Sequence, residues 1–189
     1  VSAEGAIVYG LGAIKGVGEG AIESIVRERE AGGRFADLFD LCKRIDLKRA
    51  NRRVLEALIR AGALDGLGPN RASMWAQLGD ALQAAEQHLH NQSAGMTDIF
   101  GGPAEDSATP LERVEVADWD DQERLSGEKE TLGLYLTGHP VDRYLAELEH
   151  ITSGRIARFA AEGALQLQGR EREKPATLAG LVVAIRTIN

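Results

Sequence analysis

The sequence is poor in the residues from which extracellular and metal-bound folds are built. A single cysteine, Cys42, excludes a disulfide framework and leaves a cysteine-based metal site without partners. It falls within an apolar helical pattern, which predicts a buried free thiol. Histidine is scarce too. His88 and His90 lie two apart, hence on different faces of a helix, and His139 precedes a proline at a helix start, a structural position. No apolar run approaches the length of a membrane span and no secretory leader is visible, so the cytoplasm is the expected compartment. Cations are outnumbered, and the formal net charge of −7 argues against a generally basic nucleic-acid protein. The chain opens Val1-Ser2 and not with methionine, so a piece of a longer polypeptide is expected. Its 189 residues and 43% hydrophobic share suit one good-sized domain, or one domain with part of another.

What the sequence does have is glycine concentrated in one place. Gly12, Gly16, Gly18 and Gly20 crowd a single short stretch, and an amphipathic helix follows at once. Glycine takes positive φ and lets another backbone come close, which suits a sharp helix-to-helix turn. Successive N–H groups entering a helix N-terminus also form a seat for phosphate. These are the physics of a helix-hairpin-helix, which grips nucleic-acid backbone without reading sequence. Lys15 at the turn and Val17, placed to plug the hairpin interior, fit that reading. The same spacing fits a helix C-cap followed by a tight connection. A nucleotide-binding P-loop is excluded, because no Lys-Ser or Lys-Thr pair follows the last glycine. The basic run Lys43, Arg44, Lys48, Arg49, Arg52 and Arg53, broken by Asp46, is a second phosphate-binding candidate. Its alternative is a solvated helix face with a basic loop.

Periodicity predicts a mainly α fold. Ile22, Ile25 and Val26 mark a first helix ended by Gly32-Gly33; Phe35, Leu38, Phe39 and Cys42 mark a short second one. Asn51 caps a third, carrying Val54, Leu55, Leu58 and Ile59 and stopping at Ala61-Gly62. The compact stretch Ala63 to Pro69 reads as a second, degenerate hairpin turn, with Asn70 capping a long helix whose buried stripe is Met74, Leu78, Ala81, Leu82, Ala85 and Leu89. Residues 1–91 would form a tandem hairpin domain, and 92–118 a linker without periodicity. In 119–175, Leu125, Leu132 and Tyr135 predict a helix closed by Thr137-Gly-His-Pro140, with another opened by Pro140. The β-rich residues 176–189 read as the first strand of a truncated β-domain. A strand is also possible around Ala6 to Tyr9.

Within the linker, Met96-Thr97-Asp98-Ile99-Phe100 places an aliphatic-aromatic pair in polar surroundings. Such a pair either docks into an apolar pocket on a partner or folds back onto neighbouring helices. Asp98 could shape the turn.

Four runs carry a close resemblance: Ile7 to Gly20, Leu38 to Cys42, Asn51 to Glu56 and, most specific, Gly127-Glu-Lys-Glu-Thr-Leu-Gly-Leu-Tyr-Leu-Thr-Gly-His-Pro140. They resemble the family of bacterial replicative DNA polymerase III alpha subunits over the whole chain. The matching region lies beyond the polymerase core. It spans the end of the fingers, the tandem helix-hairpin-helix domain and the first strand of an OB domain. The resemblance implies a parent DNA-directed DNA polymerase, of which this segment carries no catalytic residues. It places the Mg2+ chemistry in a palm domain that nothing here matches. The acidic residues of this chain are then read as surface charges or linker solubilisers.

The resemblance further implies that Lys15, Gly16, Val17 and Gly18 meet the backbone of double-stranded DNA. It makes Met96 to Phe100 the internal peptide for the sliding clamp (the beta subunit), with other replisome subunits bound elsewhere and no membrane. One residue departs from the pattern: the family's peptide usually opens with glutamine, where this chain has Met96. Methionine fills space but lacks the amide, and one lost neutral hydrogen bond costs about 0.5–1.5 kcal/mol. Gln92 lies four residues too early to substitute. The competing readings are a hairpin DNA-binding module of a repair or recombination protein, a pure scaffold, and the error-prone paralogue of the alpha subunit.

Overall fold

The structure is a computed structural model that describes residues 5, 7–93, 114–159, 175–182 and 184–187. The chain forms two compact units, Val1–Leu136 and Thr137–Asn189. In the first unit the described elements are a 3-10 turn at Leu11–Ala13 and five helices: α1 (Glu19–Gly32), α2 (Leu38–Arg44), α3 (Arg52–Arg60), α4 (Arg71–Ser93) and α5 (Asp121–Leu132).

Side chains start four of these helices, α2 to α5. Asp37, Asn51, Asn70 and Asp120 each accept a hydrogen bond from the main-chain N–H three residues on, at 2.9, 3.3, 2.7 and 2.8 Å. Each satisfies one of the donors that a helix leaves unpaired at its start. Glycines stop them: Gly33, Gly62 and Gly133 follow α1, α3 and α5 with φ of 77°, 75° and 76°. The core lies where α2, α3 and α4 meet. It is built from Leu41, Cys42, Leu55, Leu58, Ile59, Met74, Leu78, Ala81 and Ala85, with Val17, Ala21 and Ile25 of the glycine-turn region against it. α5 packs on α3, close enough that a Cβ on Gly127 would stand 3.4 Å from Arg60 Cβ.

Four expectations are corrected here. The helix predicted through Tyr135 ends at Leu132, because Gly133 takes the left-handed conformation and turns the chain out. Leu89 is exposed, since α4 outruns the core it packs on. Residues 7–10 are exposed and form no strand with any described residue. In the second unit, residues 175–182 and 184–187 form no strand with any described residue. Their tie is local: Ser153 and Thr177 exchange N–H to O hydrogen bonds at 2.9 Å. That unit also holds a 3-10 turn at Asp142–Tyr144 and α6 (Leu145–Ile151). Pro140 stands in the turn before them, not at a helix start.

Among the described residues, no helix is long and apolar enough to cross a membrane.

Candidate nucleic-acid interface

The glycine turn is held from below and open above. Ile14 and Val17 are buried, while Lys15, Gly16 and Gly18 are exposed. Val17 N–H donates to Ile14 O at 3.1 Å, and Lys15 N–H donates to Thr131 O at 2.8 Å, in the last turn of α5. Gly16 sits at φ 89°, a conformation that strains any side chain. Gly18 is different. It is the N-cap of α1 in extended conformation (φ −84°, ψ 159°), no side chain caps the helix, and a Cβ there would meet nothing within 4 Å. The N–H groups of Gly16, Gly18, Glu19 and Gly20 meet no acceptor among the described residues. An uncapped helix start of this kind presents donors and a positive dipole end to solvent. Arg49 lies beside it, its guanidinium Nη1 3.4 Å from where a Gly20 Cβ would be. Its ion pairs to Glu23 and Asp46 are long, at 3.5 and 3.6 Å. Glu19, in the first turn of α1, is the one opposing charge of that turn.

The basic run does not act as one patch. Arg44 is drawn inward: its guanidinium lies 4.4 Å from the Phe35 ring centroid, pairs with Asp40 at 3.1 Å, and donates to the carbonyls of Gly33 (3.0 Å) and Glu28. It thereby satisfies carbonyl groups at the end of α1. Arg52 pairs with Glu56 at 2.9 Å. Lys48 and Arg53 are exposed and meet no acid among the described residues.

The second turn, between α3 and α4, is closed where the first is open. Amides of Gly62, Ala63, Asp65 and Leu67 all donate within the turn or to α3. Asn70 takes the Ser73 N–H, and Arg71 spans the turn to Asp65 through two 2.8 Å hydrogen bonds.

Arg71 also meets Glu128, and this overturns the reading of the acidic residues as surface charges. Glu128 is fully buried, accepts from Arg71 Nη1 at 3.0 Å and from Leu136 N–H at 2.7 Å. Burial works to lower the pKa of Arg71, but hydrogen bonds and attraction from Asp65 and Glu128 outweigh it and raise it. Nothing in the sequence singles Glu128 out, because helical spacing alone cannot say which acid finds a buried partner.

Of the other site residues named by the sequence, Met96, Thr97, Asp98, Ile99 and Phe100 lie outside the described residues. His88 Nε2 lies 2.9 Å from Gln92 Nε2 on the exposed end of α4. Cys42 is buried as expected, and burial, helped by the charge of Asp37, pushes its thiol up to about 12.

Comparison with known proteins gives the same frame. The family model described as helix-hairpin-helix motif matches residues 1–74. The DNA polymerase III subunit alpha of Vibrio cholerae serotype O1 is 52% identical over the whole of this chain, and that of Escherichia coli K12 is 49% identical over the whole chain. The corresponding protein of Haemophilus influenzae is 50% identical over 98% of it. The chain spans only 15–16% of the length of these relatives. Mainly helical, with a helix-hairpin-helix motif, the chain is similar from end to end to one segment of DNA polymerase III alpha subunits.

Proposed function

We propose that this chain is a non-catalytic segment of a DNA-directed DNA polymerase that couples the enzyme to duplex DNA and to its sliding clamp during chromosomal replication. In this reading the two turns form a tandem helix-hairpin-helix. The open first turn meets phosphate through the N–H groups of Gly16, Gly18 and the start of α1, with the Lys15 ammonium beside them and Val17 plugging the turn from within. The closed second turn braces it. Met96 to Phe100 is the clamp peptide, Ile99 and Phe100 its anchors. Residues 176–189 begin an OB domain. The observation that carries the DNA contact is the uncapped start of α1 beneath Gly18, which has room for a side chain and has none.

That observation supplies a test in which stability and binding move in opposite directions. A serine at an N-cap accepts a main-chain N–H and stabilises its helix. Gly18→Ser should therefore raise the unfolding midpoint in urea slightly, while filling the seat for phosphate. Duplex DNA affinity, followed by fluorescence anisotropy across a salt series, should fall several-fold. If Gly18→Ser binds duplex as well as the unaltered chain, the amide seat is not the contact. Clamp binding is read separately: Ile99→Ala with Phe100→Ala should abolish capture of a bacterial sliding clamp.

A further inference from the structure

The open turn is not held by its own bonds alone. Of its backbone donors, Lys15 N–H is taken by Thr131 O at 2.8 Å, more than a hundred positions away in sequence. Just before the turn, Tyr9 Oη donates to Leu132 O at 3.1 Å. Both acceptors are carbonyls at the C-terminal end of α5, where a helix has no internal partner for them. The two elements thus satisfy each other: α5 is capped by the glycine turn, and the glycine turn is fixed by α5.

α5 is in turn fixed by Glu128. One carboxylate oxygen takes Arg71 Nη1 at the start of α4, and the other takes the N–H of Leu136, just past the Gly133 turn. The last turn of α5 is therefore pinned on both sides. Thr131, buried, adds an Oγ1–H to Gly127 O bond at 2.7 Å that tightens the same stretch.

We propose that Glu128 is a positioning residue for the DNA contact: through the end of α5 it commits the Lys15 amide inward, so that the amides of Gly16 and Gly18 to Gly20 face out together. The inference rests on the reading that the glycine turn meets duplex backbone. It assigns to the Gly127–Pro140 run a role at the DNA contact, although none of its residues belongs to the turn.

The test uses the whole chain with Glu128→Gln and, separately, Tyr9→Phe. Glutamine keeps the shape but cannot accept at both oxygens, so one of the two anchors is lost. Breaking a buried ion pair also lowers global stability. Tyr9→Phe removes one exposed hydroxyl and leaves the core untouched, which keeps the question open to an answer if Glu128→Gln folds poorly. Two quantities are read: amide hydrogen exchange at Lys15 against that of Leu58 and Leu78, and duplex affinity over a salt series. The expected result is faster exchange at Lys15 with Leu58 and Leu78 still protected in Tyr9→Phe. Duplex binding should weaken about two- to tenfold, the range of one lost hydrogen bond, with a shallower salt dependence. An unaltered chain that binds duplex, with both folded variants binding equally, overturns the inference alone. Unchanged exchange at Lys15 in both variants overturns it as well. An unaltered chain that does not bind duplex at all overturns the DNA reading and the inference together.

Discussion

Gly16 and Gly18 are both glycines of one turn, yet they are there for different physical reasons. Gly16 is required by the fold, because its φ of 89° lies where side chains strain the backbone. Gly16→Ala should cost about 1–2 kcal/mol in a urea unfolding curve, with no clash to relieve, since a Cβ there would meet nothing within 4 Å. The fold makes no such demand at Gly18, which is why its substitution separates binding from stability. Cys42 carries a different residue-scale consequence. Its thiol is held up at about 12 in the folded chain by burial, against an ordinary value of 9.0. At alkaline pH the unfolded chain therefore loses the proton first. The stability associated with the protonated thiol is complete below pH 9 and declines as pH rises toward 12, at about 1.4 kcal/mol per pH unit. Cys42→Ala should be flatter over that window when its unfolding free energy is compared with that of the unaltered chain. In the folded state the thiol should also resist alkylation at pH 8, reacting only as the chain unfolds.

At the scale of elements, the helices α1 to α4 were legible because their ends are written in local chemistry. Asn51 and Asn70 cap as their position implies, and Gly33 and Gly62 turn the chain as only glycine readily does. What was not legible depends on residues far apart. Gly133 carries the same local stop signal as Gly33 and Gly62, but nothing in residues 176–186 reveals whether a ladder partner exists. The site shows the same division: the turn could be read from its glycines, while the brace from Thr131 could not. Residues 114–118 make the point most clearly. They read as the end of a structureless linker, yet α4 grips them along one face. Asn70 Nδ2 and Ser73 Oγ both donate to Val116 O, at 2.9 and 3.3 Å, and Gln77 Nε2 donates to Val114 O at 2.6 Å. In return Val116 N–H donates to Ser73 Oγ at 3.0 Å. Trp119 then stacks edge-on to Trp75, with ring centroids 5.8 Å apart. Ser73→Ala removes the one acceptor for the Val116 amide in a site where Ser73 itself is fully buried. A cost of about 1–3 kcal/mol is expected, measurable as a lower urea midpoint.

For the molecule as a whole, that grip sets the terms on which the proposed clamp peptide works. The peptide is tied at both ends, by α4, which ends at Ser93, and by the seat of Val114 to Val116 on the same helix. At about 3.5 Å per residue, Phe100 stays within roughly 25 Å of the end of α4 whatever path the chain takes. Under the proposed function, a tether of that length would hold its effective concentration near the millimolar range, so that a weak peptide would suffice to recapture a clamp once DNA is bound. Under the same proposal the acidic net charge of −7 would work in the same direction, keeping non-specific duplex binding weak and leaving phosphate contact to the local turn. In this arrangement neither contact has to be tight, and Met96 in place of the usual glutamine is tolerable. Met96→Gln should then tighten binding of the whole chain to a sliding clamp by about two- to tenfold, the worth of one neutral hydrogen bond, as read by calorimetric titration. Duplex affinity measured without clamp should not move, because the substitution lies on the tether and not on the turn. An unchanged clamp affinity would mean that another group already supplies the contact, and the two-anchor tether would remain to be tested through Ile99→Ala with Phe100→Ala, where loss of clamp binding at unchanged duplex affinity is the expected result.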